Sequence, residues 1–293
     1  MISTRIFALS TLAILAGCSA PPGEDLSSNS AAVTMAFTFH EFTSTGSPVI
    51  DVGSCLYDSF GNASVSWVGA NDQEFTWNSF NSLVFTGTAV PNTFGSGIDL
   101  GGLGAWAVEP THAIFGWVNG VYEQVSTGQA TDIGVSNDGK TTFVAGVPVG
   151  GGVGNDFPIY KYVGAPSYWQ QMTGQYGVRV DASNDGSAWV VNSAGQVWHV
   201  TGSPTAPVAT RIGPSWTSAT DISVGSDNSV FVVGNGTAGA DHGIFVFDPS
   251  ISDFRQIPGA LGTRVAAASS TVITVVNAEG QLWTSAVHHA GLE

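Results

Sequence analysis

The sequence contains little positive charge and few charged residues of any kind. Its 293 residues include only seven Lys and Arg against 22 Asp and Glu, so the formal net charge at pH 7 is −15. A surface this acidic repels phosphate groups, which argues against nucleic acid as a partner and against electrostatic binding to anionic lipids. Hydrophobic residues make up 43% of the chain. The chain is therefore expected to bury a large core, and its length suits one large all-β domain.

Long hydrophobic runs are also absent, and the longest apolar stretch lies at the N-terminus. Arg5 precedes an apolar stretch that ends at Ile14, and a Leu-Ala-Gly-Cys motif then ends at Cys18. Such a stretch is too short to span a bilayer, and after a positive charge it is typical of a secretory signal. The motif resembles the lipobox of bacterial lipoproteins. The resemblance implies cleavage before Cys18 and a diacylglycerol on its thiol, with a plain secretory signal as the alternative.

These features divide the chain into three segments. Residues 1–17 are expected to be the signal peptide, residues 18–32 a flexible tether and residues 33–293 the folded domain. Ser19, which follows the lipid-bearing cysteine, is compatible by analogy with sorting to the outer membrane of a Gram-negative cell. The sequence therefore predicts a bacterial cell-envelope protein, anchored in the outer membrane, whose acyl group alone contacts the membrane.

Cysteine is scarce, with Cys18 and Cys55 as the two examples. If Cys18 carries a lipid, Cys55 is left single and cannot form an intramolecular disulfide. Its neighbours are small or apolar, so we expect it to be a buried small hydrophobic residue rather than a nucleophile.

One unit recurs along the chain to its C-terminus. The clearest copy, Asp132 to Gly174, contains a strand of alternating pattern, an Asn-Asp-Gly turn, a second strand, a glycine-rich loop and two further strands. Its opening strand recurs at an average spacing of about 43 residues, which is typical of four-stranded propeller blades. The charged residues of these opening strands are Asp51, Asp99, Asp132, Arg179, Asp221 and Arg264. The pattern predicts an all-β fold, a six-bladed β-propeller of four-stranded antiparallel blades.

Aromatic or large apolar residues mark the middle strands of the repeats. Second strands carry Trp106, Phe143, Trp189, Phe231 and Ile273, and third strands carry Phe115, Tyr160, Trp198, Phe245 and Trp283. The last repeat stops at Thr284 without a fourth strand. A segment from Phe39 to Gly46 matches the fourth strand that begins at Tyr122, including its final Ser-Thr-Gly. We therefore expect the N-terminal strand to complete the last blade and close the ring, which removes two open sheet edges.

The repeat resembles that of the tectonin family. Its parts are, in order, Asp-Ile-x-Val, an Asp-Gly turn, Trp-Val-Val-Asn, Gly-Gln-Val-Trp and an aromatic-x-Gln-hydrophobic-x-Gly strand. The resemblance extends from about Val33 to Thr284 and is clearest from Gly128 onward. Tectonin-type propellers typically bind carbohydrate, often methylated or microbial surface glycans, at several equivalent sites around the ring. The resemblance therefore implies a glycan-binding propeller.

Tryptophan is abundant, with nine residues. A sugar site needs an aromatic face for the C–H side of the ring and polar groups for its hydroxyls. Residues of both kinds lie on or near the third and fourth strands, and the candidate ligand-binding residues are Trp169, Gln171, Trp198, His199, Trp216 and Trp283. The alternative for each aromatic residue is packing between neighbouring blades.

The charged residues of the opening strands form a second constellation. Opening strands of a propeller line its central channel, and each Arg follows a blade that carries an Asp. We therefore predict two inter-blade ion pairs, Asp132–Arg179 and Asp221–Arg264, that stabilise the ring. A charged ligand held in the channel is the alternative.

No catalytic or metal-binding motif is recognisable. The chain contains no Gly-x-Ser-x-Gly, His-Glu-x-x-His or Cys-x-x-Cys pattern. The Asp-Gly pairs at Asp138 and Asp185 are explained as hairpin turns, since Gly supplies the positive φ that such turns need. We therefore predict no enzymatic activity, no cofactor and no metal. A propeller hydrolase that uses the channel acids is the weakest of the hypotheses.

The sequence thus favours non-catalytic recognition of a glycan or polysaccharide by a monomeric envelope lipoprotein. The alternative is a scaffold that binds an envelope protein through one face of the propeller. A scaffold predicts one large apolar patch on a face, whereas a lectin predicts repeated aromatic pockets between blades. Because propellers host both functions, the fold alone does not decide between them.

Overall fold

The computed structural model describes most of the predicted domain. The described residues are 37, 39–41, 47–56, 63–78, 88–94, 96–101, 104–118, 121–147, 153–165, 167–213 and 218–285. The predicted signal peptide, the tether and Trp216 lie outside these ranges. Every regular element within them is a β-strand, which confirms the all-β prediction. Within the same ranges there is no helix of the length and apolarity that a membrane crossing requires.

The described segments form short strands. In chain order they are β1 His40–Glu41, β2 Val49–Leu56, β3 Ala63–Gly69, β4 Gln73–Asn78, β5 Thr88–Phe94, β6 Gly97–Gly101, β7 Gly104–Val108, β8 Ala113–Val118, β9 Val121–Val135, β10 Thr142–Gly146, β11 Phe157–Gly164, β12 Tyr168–Gly177, β13 Arg179–Ala182, β14 Ala188–Val191, β15 Val197–Ser203, β16 Ala206–Ile212, β17 Asp221–Val224, β18 Val230–Ala238, β19 Asp241–Asp248, β20 Asp253–Gly262, β21 Arg264–Ser269, β22 Val272–Val276 and β23 Leu282–Thr284.

Strands that follow one another along the chain pair antiparallel. The described strands form the four-stranded sheets β2-β3-β4-β5, β13-β14-β15-β16, β17-β18-β19-β20 and β1-β23-β22-β21, and one seven-stranded sheet from β6 to β12. The seven-stranded sheet joins two repeats because β9 continues from the outer edge of one repeat into the inside of the next. Its first part pairs with β8 and its last part with β10. The count of six separate blades therefore stays a prediction.

The N-terminal strand lies where the repeat pattern places it. In β1, His40 is paired with Thr284 and Glu41 with Trp283, so the strand completes the sheet of the last repeat. The opening strands contact one another in a cycle, from β2 through β6, β9, β13, β17 and β21 back to β2. This radial arrangement of antiparallel sheets is a β-propeller, and it brings the first and last described strands side by side.

Burial decreases from the axis of the ring towards its outer edge. The opening strand β6 and the second strand β10 are buried along their whole length, whereas the outermost strand β16 alternates between exposed and half-buried residues. The cause is coverage, because inner strands are packed between neighbouring sheets on both faces and outer strands meet solvent. The core therefore lies between the sheets, as in the cluster of Phe143 and Met172 with Val180 and Val190 of the next sheet.

The second-strand positions largely follow the predicted pattern. Trp106, Phe143 and Phe231 lie opposite Asp99, Gly134 and Ser223 of the opening strands. In the last repeat the equivalent residue is Thr274, which pairs with Ala266, and not Ile273 as predicted. The repeat pattern allowed any large apolar residue at this position, so it selected Ile273 instead of the neighbouring Thr274.

Cys55 corrects one prediction from the sequence. It lies on β2, only 1% exposed, as expected of a buried small residue. However, it is disulfide-bonded rather than single, and no cysteine among the described residues is free. Its partner lies outside the described residues. The prediction of a lone Cys55 rested on a lipid at Cys18. The lipid at Cys18 and the disulfide at Cys55 therefore require a direct chemical test.

Candidate functional site

Two regions of the ring gather chemically active side chains: its outer rim and its axis. At the rim, an aromatic third-strand residue lies directly opposite a long polar residue of the fourth strand. We call these the rim pairs: Phe115 with Gln124, Tyr160 with Gln171, Trp198 with Arg211, Phe245 with Gln256, and Trp283 with Glu41. Residues directly opposite in an antiparallel pair project to the same face of the sheet. Each rim pair therefore presents an aromatic ring beside a polar head group.

The rim pairs combine packing with accessibility. Each aromatic member is half-buried, and the polar members other than Arg211 are exposed. Tyr160 packs against the cluster around Trp106, and Trp198 against the cluster around Phe143, each of which belongs to the preceding repeat. The pairs therefore face clefts between neighbouring repeats. Gln124, Gln256 and Arg211 were not singled out from the sequence, although the aromatic-x-Gln motif contains two of them, because strand register is needed to place them beside a third-strand ring.

The predicted site residue Trp169 lies in an aromatic cluster between two repeats. Its ring centroid is 5.3 Å from that of Tyr162 and 6.2 Å from that of Trp106. Its Nε1 atom is buried, with no hydrogen-bond partner in the described part of the chain. A Cβ on Gly128 would lie 3.1 Å from the indole, so glycine there makes room for the ring. The structure thus uses Trp169 for packing, whereas Gln171 of the same strand is exposed.

The predicted pair Trp198 and His199 is not brought into one site. Successive residues of a strand point to opposite faces. His199 stacks on Trp189 with 4.5 Å between ring centroids, and its Nε2 lies 2.9 Å from the Ser187 hydroxyl. Burial lowers the pKa of His199. Trp198 faces the other way and forms a rim pair with Arg211.

The third predicted aromatic site, Trp283, lies in the sheet that the N-terminal strand completes. Its rim partner is Glu41, whose carboxylate accepts a hydrogen bond of 3.0 Å from Gln281 Nε2. The carboxamide of Asn277 donates to Gln281 at 2.7 Å. This network links the two ends of the domain. Trp216 lies outside the described residues.

Near the axis, a layer of charged side chains connects neighbouring repeats. Its members, the first axial layer, are Asp51, Asp132, Arg179, Asp221 and Arg264. Each Asp accepts a backbone N–H from the next opening strand, from Ile98 at 2.8 Å, from Val180 at 2.7 Å and from Val265 at 2.9 Å. Burial raises the pKa of Asp132 to about 7, although Arg179 acts in the opposite direction. Burial also raises the pKa of Asp51.

The structure contains one of the two predicted ion pairs and replaces the other. Arg179 Nη1 lies 3.0 Å from Asp132 Oδ1, as predicted. Asp221 was assigned to Arg264 and instead faces Arg179, with 3.5 Å between Oδ1 and Nε. Arg264 Nε lies 3.5 Å from Asp51 Oδ1, across the junction between the last and first complete repeats. The prediction of Asp221–Arg264 is therefore wrong, because a ring offers each Arg two neighbours and chain order does not choose between them.

A second axial layer lies two residues further along the opening strands. Its members are Asp99, Asp181 and Ser223. The aligned repeats placed Asp99 at the same position as Asp51, but in the structure the two residues lie in different layers. Asp99 Oδ2 accepts the N–H of Val135 and Asp181 Oδ2 that of Val224, both at 2.6 Å. Burial, followed by the charge of Asp181, raises the pKa of Asp99 well above its usual range.

The two layers enclose a small cavity. Its volume is about 20 Å³, and Asp51, Asp99, Asp132, Asp181 and Asp221 all line it. This volume accommodates about one water molecule. Asp181 was missed in the sequence, although it lies two residues after Arg179 and therefore on the same face of the strand. The cavity is too small for a sugar, which leaves the rim as the candidate glycan site.

The described residues form no arrangement typical of nucleophilic catalysis. Ser187, His199 and Asp185 are in contact, but Ser187 is 4% exposed and its hydroxyl donates to Asp185 Oδ1 at 2.6 Å. A hydroxyl that donates to a carboxylate is not activated by the histidine. Within the described ranges, no group of three or more His, Cys, Asp or Glu side chains is arranged to hold a metal ion.

Comparison with known proteins agrees with this architecture. The chain is similar to the WD40 β-propeller domain of Doa1, with a TM-score of 0.52 and 10% identity over 84% of this chain and 95% of that one. It is also similar to the β-propeller domain of Cps50 (Swd1) from Myceliophteria thermophila, with a TM-score of 0.50 and 8% identity over 82% and 83% of the two chains. Identities this low support the fold alone, and the class is a β-propeller.

The family is identified by sequence. The tectonin domain model matches residues 94–291. This match spans most of the chain, so the chain belongs to the tectonin domain family. No curated protein matches the sequence.

Proposed function

We propose that this protein is a non-catalytic, multivalent glycan-binding protein that uses the rim pairs. The observation that carries this proposal is the repeated register of an aromatic residue opposite a polar one, seen in Tyr160 with Gln171 and Phe245 with Gln256. The aromatic ring stacks on the C–H face of a sugar. A carboxamide both donates and accepts hydrogen bonds, so it suits a pair of sugar hydroxyls.

The charge of the protein narrows the class of glycan. With a net charge of −15, the surface disfavours phosphorylated, sulfated and other anionic sugars. Neutral glycans, including methylated ones whose extra apolar surface adds to the stacking, fit the rim pairs better. The weak binding of single sites is strengthened when several sites on one rigid ring engage the same polysaccharide.

The proposal is tested with a glycan array that includes O-methylated sugars and bacterial polysaccharides. The chain offers a matched control, because Gln170 and Gln171 are adjacent and exposed but point to opposite faces of β12. Gln171→Ala is expected to weaken binding to a recognised glycan, and Gln170→Ala is expected to leave it unchanged. A folded protein that binds nothing on the array, or equal effects of both variants, would contradict the proposal and favour the protein-interaction scaffold.

We further propose that Cys18 is lipidated and anchors the protein in the outer membrane of a bacterial envelope. The Leu-Ala-Gly-Cys motif supports this anchor. The disulfide at Cys55 opposes it, since Cys18 is the second of two cysteines and a thioether-linked lipid leaves no thiol for a disulfide. Mass spectrometry of the mature protein distinguishes a lipid on Cys18 from a disulfide with Cys55. A diacylglyceryl adduct on the N-terminal peptide supports the anchor, and a peptide disulfide-linked to Cys55 overturns it.

A further inference from the structure

The cleft between the second and third repeats is lined by aromatic side chains from both repeats. Trp106 of β7 lies on one wall, and its ring centroid is 5.4 Å from that of Tyr162 and 6.2 Å from that of Trp169 on the other wall. Tyr162 and Trp169 are half-buried, so part of each side chain is at the surface. The rim pair of Tyr160 and Gln171 faces the same space. We call the space between these five residues the aromatic cleft.

A carboxylate lies on the second-repeat wall of the aromatic cleft. Trp106 is directly opposite Gly116, and Gly116 is directly opposite Glu123, so the three positions share one face of the sheet. A Cβ on Gly116 would lie 2.4 Å from the Trp106 ring, which means that the indole covers this glycine on the side towards Glu123. Glu123 itself is exposed. The wall therefore presents an indole and, further out, an accessible negative charge.

Glu123 acts on the opposite wall of the cleft. Burial, followed by the charges of Tyr168 and Glu123, raises the pKa of Tyr162. Because salt screens the interactions of distant exposed charges, such an effect indicates that the Glu123 carboxylate and the Tyr162 phenol are close. Tyr168 packs against the same aromatic cluster. One small ligand can therefore contact the carboxylate and the aromatic rings together.

The strands that form the aromatic cleft bring no positive charge to it. Lys161 is the one basic residue on β6 to β12. It lies between Tyr160 and Tyr162, and successive residues of a strand point to opposite faces. Its Nζ atom donates to the carbonyl oxygen of Gly186 in the next repeat, at 3.0 Å. Lys161 thus belongs to the following cleft, and the charge of Glu123 is not cancelled by it.

The carboxylate distinguishes this cleft from those that follow it in the ring. The fourth-strand position that Glu123 occupies is taken in the next three repeats by Gln170, Thr210 and Arg255. The clefts therefore share an aromatic rim residue but differ in charge. The one between the second and third repeats is suited to a cation.

We propose that the aromatic cleft recognises a sugar that carries a protonated amino group, such as an amino sugar without an acetyl group. This inference rests on the proposed function, because the rim pair of Tyr160 and Gln171 contacts the sugar ring in the same cleft. An ammonium group is attracted to the faces of aromatic rings, and Glu123 supplies its counter-charge. The acidic surface of the protein also attracts a cationic glycan from a distance.

The experiment compares two oligosaccharides that differ in charge, a trimer of glucosamine and the matching trimer of N-acetylglucosamine. The mature protein is titrated calorimetrically at about pH 6, where the amine is protonated. NaCl at about 0.15 M screens attraction by the surface as a whole. The glucosamine trimer is expected to bind about fivefold more tightly than the acetylated trimer. Equal affinities, tighter binding of the acetylated trimer, or no binding of either would overturn the inference.

Two variants assign the amino group to this cleft. Glu123→Gln is expected to lower the affinity for the glucosamine trimer about fivefold and to leave that for the acetylated trimer unchanged. Glu279→Gln removes an exposed carboxylate from the turn between β22 and β23, and this control is expected to change neither affinity. Equal losses in the two variants would show that only the overall charge attracts the glycan, which would overturn the assignment.

A third variant, Gln171→Ala, separates this inference from the proposed function. It is expected to weaken the binding of both trimers, because both carry the hydroxyls that a carboxamide binds. A loss in Gln171→Ala without one in Glu123→Gln would overturn recognition of the amino group and leave the rim pairs supported. A loss in Glu123→Gln without one in Gln171→Ala would support the amino-group site and contradict the rim pair.

Discussion

At the scale of single residues, Arg179 is the connection that three repeats share. Its guanidinium lies between Asp132 of the preceding repeat and Asp221 of the following one. Removing it leaves two buried carboxylates without a counter-charge. Breaking a buried pair typically costs 3–5 kcal/mol, and 22% exposure of the Arg179 side chain reduces this, so we expect Arg179→Ala to lower the free energy of unfolding by about 2–4 kcal/mol.

Chemical denaturation measures this loss, and Arg255 provides the control. Arg255 forms an ion pair with Asp248 at the surface, with 46% of its side chain exposed, so Arg255→Ala is expected to cost less than about 1 kcal/mol. Equal losses in the two variants would show that the axial pairs do not stabilise the ring.

The buried carboxyl group of Asp132 makes stability depend on pH. Its pKa is about 7 in the folded protein, against about 3.9 in an unfolded chain, so the folded state binds the proton more tightly. This contribution is fully present below about pH 4 and is lost as the pH rises through about 7. Asp132→Asn is therefore expected to lose less free energy of unfolding than wild type when the pH rises from about 5.5 to about 8.

Comparison of the variant with wild type isolates this effect. His199, whose pKa is lowered by burial, gains stability as the pH rises, but it does so in both proteins. Denaturation midpoints at the two pH values provide the measurement, with Glu123→Gln as an exposed control. A wild-type protein whose pH dependence equals that of Asp132→Asn would contradict the assignment of the pKa to Asp132.

Sequence reasoning at the residue scale found the charged positions but not all of their partners. Asp132 and Arg179 were paired correctly because adjacent opening strands carry them. Asp221 and Arg264 were paired wrongly because the ring brings Arg264 to Asp51, which is far away in the chain. Asp181 was overlooked for a different reason, since its carboxylate accepts the N–H of Val224 on a neighbouring opening strand, and no one-dimensional pattern reveals that contact.

At the scale of secondary-structure elements, close contacts between opening strands set the width of the ring. A Cβ on Gly134 would lie 2.3 Å from the Asp181 Cα atom, whereas a Cβ on Gly97 meets nothing closer than 3.4 Å. Overpacking of this kind typically costs 1–3 kcal/mol. Gly134→Ala is therefore expected to destabilise the protein by about that amount or more, and Gly97→Ala is expected to be nearly neutral, as measured by thermal unfolding. Similar melting temperatures for the two variants would contradict the close approach.

The N-terminal strand is the element that joins the two ends of the domain. It pairs with β23 and accepts a hydrogen bond from Gln281 through Glu41. Deleting residues 33–46 leaves β23 with an unpaired edge, so we expect a lower melting temperature and faster proteolysis of the last sheet. Deleting residues 19–32, an equal length of the predicted tether, is the control and is expected to change neither. Equal behaviour of both deletions would show that β1 is dispensable.

Elements were predicted better than their partition into blades. The alternation of residue types and the Asp-Gly turns located the strands, and Gly139 and Gly186 adopt the positive φ of 70° and 85° expected there. The continuous strand β9 was not predicted. Its sequence contains Ser-Thr-Gly, which suggests a break, yet backbone pairing with β8 and then with β10 extends through it. The length of β9 is thus set by its pairing with two neighbouring strands, and no local sequence pattern encodes that pairing.

At the scale of the whole molecule, the tectonin propeller displays similar rim pairs around a rigid ring. The third-strand aromatic residues were visible in the sequence, but their polar partners became evident only from strand register, as with Trp198 and Arg211. Repetition of this kind converts weak single sites into strong binding to a repetitive polysaccharide. The function proposed here therefore depends on the number of sites as much as on the chemistry of each one.

The number of sites is measured by calorimetric titration of the mature protein with a short neutral glycan selected from the array. We expect at least three sites per chain, and we expect a variant that replaces Gln124, Gln171 and Gln256 by Ala to lose most of them while keeping its melting temperature. A single site, or a site number that the triple variant does not change, would contradict glycan recognition by the rim pairs.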